Sequence, residues 1–266
     1  MPTQPQKQCA VFAAGDPVAT RHFAEYGWVV TAPFDDAQVA AIRSAVDEIA
    51  AWPDDGDGWL HYRELTDHGP RLCRTENFVP FHAELGALLT DGPMLTVASA
   101  LLGEPAVLYK EKINYKLAGG AGYAPHQDGL AYRFVDALVS CQIAVDAASL
   151  DNGCLEVVSG MHHEVLATDD RECIAPEVVA SLDWTPVEVQ PGHAVWFHSL
   201  TPHRSGPNAT ERDRRALYPT YNARSAGDLR AAYYARKQAE FADGTARAAD
   251  VPVSLIGDFQ GRPVPR

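Results

Sequence analysis

The sequence predicts a mainly β protein with flanking helices, of the β-sandwich or jelly-roll type. Three observations predict it. Apolar residues recur at helical spacing up to residue 103, and the pattern switches to period two from 106. The strand candidates beyond 106 are short and separated by turn signals: Gly119-Gly120, Asp151-Asn152-Gly153, Pro191-Gly192 and Gly206-Pro207-Asn208. Helices that come first and strands that follow suit an outer helical layer on packed sheets, not alternating βαβ units. A chain of 266 residues can bury one sizeable core, so a single domain over 1–266 is expected. Within it we read a helical part at about 16–103, a jelly-roll core at about 104–225, and a C-terminal helix and tail at 226–266.

The elements follow from local signals. Residues 1–15 read as a loose terminus. Asp16 caps and Pro17 opens a helix over 17–26, Gly27 ends it, and Trp28-Val29-Val30 continues as a strand. Asp35 or Asp36 caps a second helix, whose Val39, Ile42, Val46 and Ile49 form one buried stripe. Pro53 to Gly58 is a turn-rich break. Helices are predicted at 81–89 and 93–102, the latter between an Asp91 cap and Gly103. Strands are predicted at 106–117, 138–146, 154–158, 186–190, 193–199 and 214–222, and helices at 176–182 and 228–241. The last sixteen residues are rich in Pro and Gly and are expected to wander over the surface.

Charge excludes some function classes. With 22 basic and 35 acidic residues the net charge is −13. Such a surface repels phosphate backbones and anionic membranes, which leaves a small molecule as the expected partner. The five cysteines, at 9, 73, 141, 154 and 173, form no CxxC pair. They read as small buried hydrophobes in a reducing compartment, hence a cytoplasmic location. Lys7 and the apolar run Cys9 to Ala14 make a poor secretory signal. No apolar stretch is expected to reach the roughly 20 residues of a membrane span. Oligomeric state is not encoded in any of these features.

The chemistry-bearing residues begin with His126-Gln127-Asp128. In an extended strand, positions i and i+2 share a face, so one short segment offers an imidazole and a carboxylate while Gln127 points away. Pro125 biases Ala124 toward extended geometry. His203 follows 75 residues after Asp128, just beyond Pro202 at a strand end. His198 lies inside the hydrophobic strand and reads as a core residue, while His162, His163 and His193 sit in turns and read as solvated. Two histidines and one carboxylate bind one face of an Fe(II) ion and leave the other face open for oxygen chemistry. Arg214-Arg215 opens the next strand. An arginine fork suits a carboxylate co-substrate, but only one of the two can enter a site and periodicity does not say which.

These residues resemble the phytanoyl-CoA dioxygenase family of Fe(II)/2-oxoglutarate oxygenases. The resemblance covers roughly 105–225, with a weaker echo in Phe23-Ala24-Glu25-Tyr26-Gly27. It rests on His126-Gln127-Asp128, on Asp151-Asn152-Gly153-Cys154-Leu155 running to Gly160-Met161-His162, on Pro191-Gly192, and on His203-Arg204-Ser205-Gly206-Pro207-Asn208 running to Arg214. Met161 departs from the serine more usual in the family. The resemblance implies a double-stranded β-helix, a cupin-like jelly roll. It implies iron ligation by His126, Asp128 and His203. It also implies 2-oxoglutarate binding by Arg214, Ser205 and Asn114, and hydroxylation of a substrate carbon coupled to conversion of 2-oxoglutarate and O₂ to succinate and CO₂. Asp128 favours hydroxylation, because related halogenases lack that carboxylate.

The segment Lys110-Glu111-Lys112-Ile113-Asn114-Tyr115-Lys116 bears on the substrate. Alternation puts Lys110, Lys112, Asn114 and Lys116 on one face, which is either solvent-facing or, if Asn114 contacts 2-oxoglutarate, interior. Buried ammonium groups need anions. This segment and the two histidine motifs are similar to the branch that hydroxylates alkyl- and aminoalkylphosphonates next to phosphorus, which makes Lys110 and Lys112 candidate substrate ligands. The alternatives are a tailoring hydroxylase of a secondary metabolite or amino-acid-like compound and a non-catalytic metal-binding jelly roll.

Overall fold

A computed structural model describes residues 9–54, 58–132, 138–242 and 257–264. Strand β1 (Val11–Ala13) occupies the expected loose terminus and pairs in parallel with β2 (Trp28–Ala32). Between them lies α1 (Pro17–Tyr26), capped by the Asp16 side chain and ended by Gly27 at φ 80°. Helix α2 (Asp36–Ala50) opens with a reciprocal capping box between Asp35 and Gln38 and buries Ile42, Val46 and Ile49. A hairpin of β3 (Leu60–Thr66) and β4 (Gly69–Glu76) follows, where only a break within a helical region is expected. Its strands carry His61, Arg63, Glu64, Arg71, Arg74 and Glu76, and these polar side chains masked the strand period.

Helices α3 (Ala83–Thr90) and α4 (Gly92–Leu102) match expectation. Contrary to expectation, residues 83–102 together are apolar and long enough to cross a membrane. They are nevertheless two helices broken at Asp91, and Leu85, Leu89, Met94 and Val97 are buried in the main core. Then come β5 (Ala106–Lys116), β6 (Tyr123–His126), β7 (Leu138–Ala144), β8 (Leu155–Val157), a short α5 (Pro176–Val179), β9 (Thr185–Val187), β10 (Ala194–His198), β11 (His203–Ser205), β12 (Arg214–Ala223) and α6 (Arg230–Ala242). The strand expected at 186–190 is shorter and shifted, because Val189 pairs only with Ala148 in an isolated bridge.

Among the described residues the strands form two facing sheets, ordered β1-β2-β10-β7-β12-β5-β4-β3 and β6-β11-β8-β9. Helices α1 to α4 cover the outer face of the large sheet, where Phe23, Ile42, Ile49, Ile113, Ile143, Trp196 and Tyr221 build the main core. A second cluster, including Val30, Leu155, Val157, Val187 and Phe197, fills one end of the space between the sheets. The rest of that space is polar, and the site lies there. Helix α6 closes the β3-β4-β5 edge with buried ion pairs, Lys237 to Glu76 at 3.2 Å and Arg230 to Glu111 at 2.8 Å.

The described part of the tail does not wander; residues 251–256, 265 and 266 lie outside the described residues. Residues 257–264 run along the free edge of β6 and then along β3. Ala124 N donates to Asp258 O at 2.7 Å, Gln260 N to Gly122 O at 3.1 Å, Leu65 N to Arg262 O at 2.7 Å and Val264 N to Arg63 O at 2.9 Å. Backbone hydrogen bonds hold this segment, so its Pro- and Gly-rich composition gave no sign of it.

Candidate active site

His126 ends β6, and His203 pairs opposite it at the start of β11. Asp128 does not lie in the extended strand expected to carry it with His126 but opens a 3-10 turn, Asp128–Tyr132. That turn still returns its carboxylate to the histidines, and the three ligand atoms lie within 4.8 Å of one another. Gln127 points away, as predicted, but into protein: its amide donates to the carbonyls of Glu164 and Leu200 and accepts from Leu166 N, and it is fully buried. It anchors the turn that aims Asp128.

The protonation pattern suits a metal. His126 Nδ1 bonds the Ala124 carbonyl at 2.7 Å and His203 Nδ1 the Thr201 carbonyl at 3.0 Å. A carbonyl only accepts, so each Nδ1 carries the proton and each Nε2 offers a lone pair. Those Nε2 atoms lie 3.8 and 4.0 Å from Asp128 Oδ1. Burial pushes the His203 imidazole down to about 4, keeping it neutral. Burial alone would raise the Asp128 carboxyl, but the facing Lys110 and Lys112 ammonium groups hold it well below the usual carboxylate range. An N₂O set on two buried histidines and a half-buried carboxylate fits a divalent first-row ion. His198 is elsewhere, packed near Phe23 and His162, with Nδ1 accepting from Leu200 N.

Next to the triad is a basic cradle. Arg214 is 2 % exposed and turns inward, donating to the Gly153 carbonyl, while its Nε has no hydrogen-bond partner. Arg215 projects to the opposite face and pairs with Asp146 and Asp47. Of the two arginines, Arg214 is therefore the one on the cavity side. Lys116 Nζ donates to Ser205 Oγ at 2.8 Å and to the Gly206 carbonyl. Asn114 accepts from Arg74 Nε at 3.1 Å through Oδ1, which leaves its Nδ2 to donate into the cavity. Sequence reasoning missed Arg74 and Lys116 as members of this group. Arg74 sat in the unrecognised hairpin, and Lys116 was seen only as part of the lysine face.

That face points inward. Lys110 and Lys112 line one cavity with Asn114, His126, Asp128, Ser140, His203, Tyr218 and Asp258, and Lys110 is 4 % exposed. Burial pushes the Lys110 amine down to about 8 and the Lys112 amine to about 7. Asp258 was not anticipated at all; it comes from the tail, with Oδ2 3.3 Å from His126 Nε2.

Comparison with known proteins agrees with this geometry. The sequence model of phytanoyl-CoA dioxygenase (PhyH) matches residues 23–216. A methylphosphonate hydroxylase of Gimesia maris is 48% identical over 230 residues, 86% of this chain and 88% of that protein. A 2-aminoethylphosphonate dioxygenase of an uncultured bacterium (HF130_AEPn_1) is 37% identical over 212 residues, 78% of this chain and 81% of that one. The crystal structure of EctD from S. alaskensis with 2-oxoglutarate and 5-hydroxyectoine superposes with a TM-score of 0.68 at 21% identity, covering 85% of this chain and 87% of EctD, which shows the shared jelly-roll fold. The family match over most of the chain, together with the histidine–aspartate–histidine cluster, places the protein in the phytanoyl-CoA dioxygenase family as an Fe(II)- and 2-oxoglutarate-dependent dioxygenase.

Proposed function

We propose that the protein hydroxylates a small alkyl- or aminoalkylphosphonate at the carbon next to phosphorus. The observation that carries this reading is the pair Lys110 and Lys112 in the wall of the cavity that holds the triad, the first buried and the second half-buried. Ammonium groups withdrawn from bulk water need anions beside them, and a phosphonate head group supplies two charges in one place. The phosphonate-acting relatives of 48% and 37% identity support the same class.

In this reading His126, Asp128 and His203 hold Fe(II), which when bound supplies the oxidising power from O₂ and 2-oxoglutarate. Arg214, whose Nε has no hydrogen-bond partner, receives the distal carboxylate of 2-oxoglutarate, Ser205 holds the same carboxylate, and Asn114 donates from β5. Lys110 and Lys112 fix the head group, so the adjacent carbon is the one presented to the metal. Ser140 and the two backbone carbonyls orient the ligands, and Phe197 and Leu155 bound the apolar side of the cavity. The five free cysteines, four of them buried, suit a reducing cytoplasm, and the charge of −13 argues against nucleic acid or anionic membrane as partner.

The test is succinate release coupled to a panel of phosphonates, carboxylates and neutral analogues. Coupling with phosphonates, and about ten-fold weaker binding in Lys110→Ala or Lys112→Ala, is the expected result. Coupling only to neutral or amino-acid-like compounds would replace it with the tailoring-hydroxylase reading. Absence of iron-dependent succinate release with any compound would favour a non-catalytic metal-binding protein.

A further inference from the structure

Asp258 is a carboxylate in the cavity wall that neither metal binding by the triad nor head-group binding by the lysines uses. It lies outside the 23–216 family match and is 3 % exposed. Its main chain is fixed by the Ala124 N–H, and its neighbours are fixed too: Gly257 N donates to Arg171 O at 2.9 Å, and the Phe259 ring packs on Tyr123 at 5.4 Å between centroids. The side chain is therefore held in place before any ligand arrives.

Its two oxygens are differently placed. Oδ2 lies 3.3 Å from His126 Nε2, on the side of the triad. Oδ1 is buried and has no hydrogen-bond partner. A carboxylate oxygen in that state is costly unless a ligand supplies a donor. Arg74 and Lys112 both feel the Asp258 charge, but neither hydrogen-bonds Oδ1. Arg74 contacts Glu76, Asn114 and Tyr123, while Lys112 lies over the Tyr218 ring and beside Lys110 in the head-group wall.

The charges are also arranged across the reaction centre. Lys110 and Lys112 come from β5 of the large sheet, whereas Asp258 comes from the tail along β6 of the small sheet. Two lysines balance a doubly charged phosphonate, and Asp258 Oδ1 is still left without a donor. A substrate with an ammonium on the carbon after the reacting one would satisfy both walls and hold the reacting carbon between them.

We infer that Asp258 is a specificity residue that receives the ammonium group of an aminoalkylphosphonate. This rests on the phosphonate reading above. It makes 2-aminoethylphosphonate, not methyl- or ethylphosphonate, the preferred substrate, although the more similar of the two phosphonate-acting relatives acts on methylphosphonate.

The experiment compares wild type with Asp258→Asn and Asp258→Ala, each loaded with Fe(II) and 2-oxoglutarate. Anaerobic titrations with 2-aminoethylphosphonate and ethylphosphonate follow the iron charge-transfer absorption, and metal content is measured separately. Wild type should bind the amino compound at least ten-fold more tightly than ethylphosphonate. Both variants should lose about ten-fold or more for the amino compound and keep or improve their affinity for ethylphosphonate. Equal losses for both compounds, no loss for either, or loss of iron from Asp258→Asn would each overturn the inference. If wild type binds neither phosphonate while binding 2-oxoglutarate, the phosphonate reading fails first. If it binds both equally, that reading stands and the role of Asp258 falls.

Discussion

Ser140 Oγ donates to Asp128 Oδ2 at 2.7 Å, and this bond joins the large sheet to the turn that carries the metal-facing carboxylate. It occupies the oxygen that faces β7 and leaves Oδ1, the atom nearest both histidine Nε2 atoms, for an ion. Ser140 in turn lies 3.4 Å from Thr220 Oγ1 on β12, so two central strands support the position of Asp128. Outer contacts of this kind typically contribute 10–100-fold to metal affinity or activity.

Ser140→Ala should therefore retain the fold and lose about 10–100-fold in iron affinity or turnover. His126→Ala, Asp128→Ala and His203→Ala should each abolish turnover. His198→Ala should leave iron bound, since its ring packs near Phe23 and His162 away from the triad. Metal content after desalting, with circular dichroism for the fold, checks all five. Iron retained by His203→Ala and lost from His198→Ala would reverse the assignment.

Arg214→Ala should raise the 2-oxoglutarate requirement about ten-fold or more, because a buried charge-assisted pair is removed. Arg215→Ala removes partly exposed pairs with Asp146 and Asp47 and should leave 2-oxoglutarate binding unchanged, at a stability cost of at most about 1 kcal/mol. Anaerobic 2-oxoglutarate titration and thermal melts separate the two effects. Equal 2-oxoglutarate affinity in wild type and Arg214→Ala would remove Arg214 from the cradle.

Gly153 stands at φ 71°, and a Cβ there would lie 2.3 Å from the Gly206 carbonyl and 2.6 Å from Lys116 Nζ. Gly119 has a similar φ of 67° with open space around it. Alanine at either position meets the left-handed backbone penalty of about 1–2 kcal/mol. Only Gly153→Ala also pushes Lys116 and the 206–207 segment away from the cradle. Both variants should melt earlier, but only Gly153→Ala should raise the 2-oxoglutarate requirement. A matching change in Gly119→Ala would mean that the effect is general destabilisation.

The legible parts of the molecule are those where chain-local chemistry decides the outcome. Caps at Asp16, Asp35 and Asp91 and the terminating Gly27 and Gly103 marked helices α1, α2 and α4, because capping is settled within a few residues. His126, Asp128 and His203 were legible as types and spacing, although the 3-10 turn that aims Asp128 depends on the distant anchors of Gln127. The inward lysine face could be read only as one of two options, since period two gives sides but not which side is buried. The β3–β4 hairpin was hidden because its buried side chains are polar and paired across the fold, as in Arg74–Glu76 and Lys237–Glu76. Asp258 was hidden because its segment is held by backbone hydrogen bonds to β6 and β3, which leave no mark in side-chain pattern.

The substrate lysines also set a pH dependence. A free lysine titrates near 10.4, but burial lowers Lys110 to about 8 and Lys112 to about 7. Both must be protonated to hold a phosphonate, and the depressed values mean that protons leave as pH rises through 7 to 8, not above 10. Substrate affinity should therefore be highest below about pH 7 and fall through that window, whereas 2-oxoglutarate binding through Arg214 should persist, because a guanidinium stays charged. A bound dianion favours the charged ammonium forms, so the fall in the substrate complex should come at higher pH than in the free enzyme. Comparing the pH profile of kcat/KM for the phosphonate with that of kcat would show this displacement. Lys112→Ala should weaken binding at pH 6.5 and flatten the decline above pH 7, since one of the two titrating groups is gone. An unchanged alkaline limb in both Lys110→Ala and Lys112→Ala would show that neither lysine meets the head group, and would shift the substrate anion to another part of the cavity.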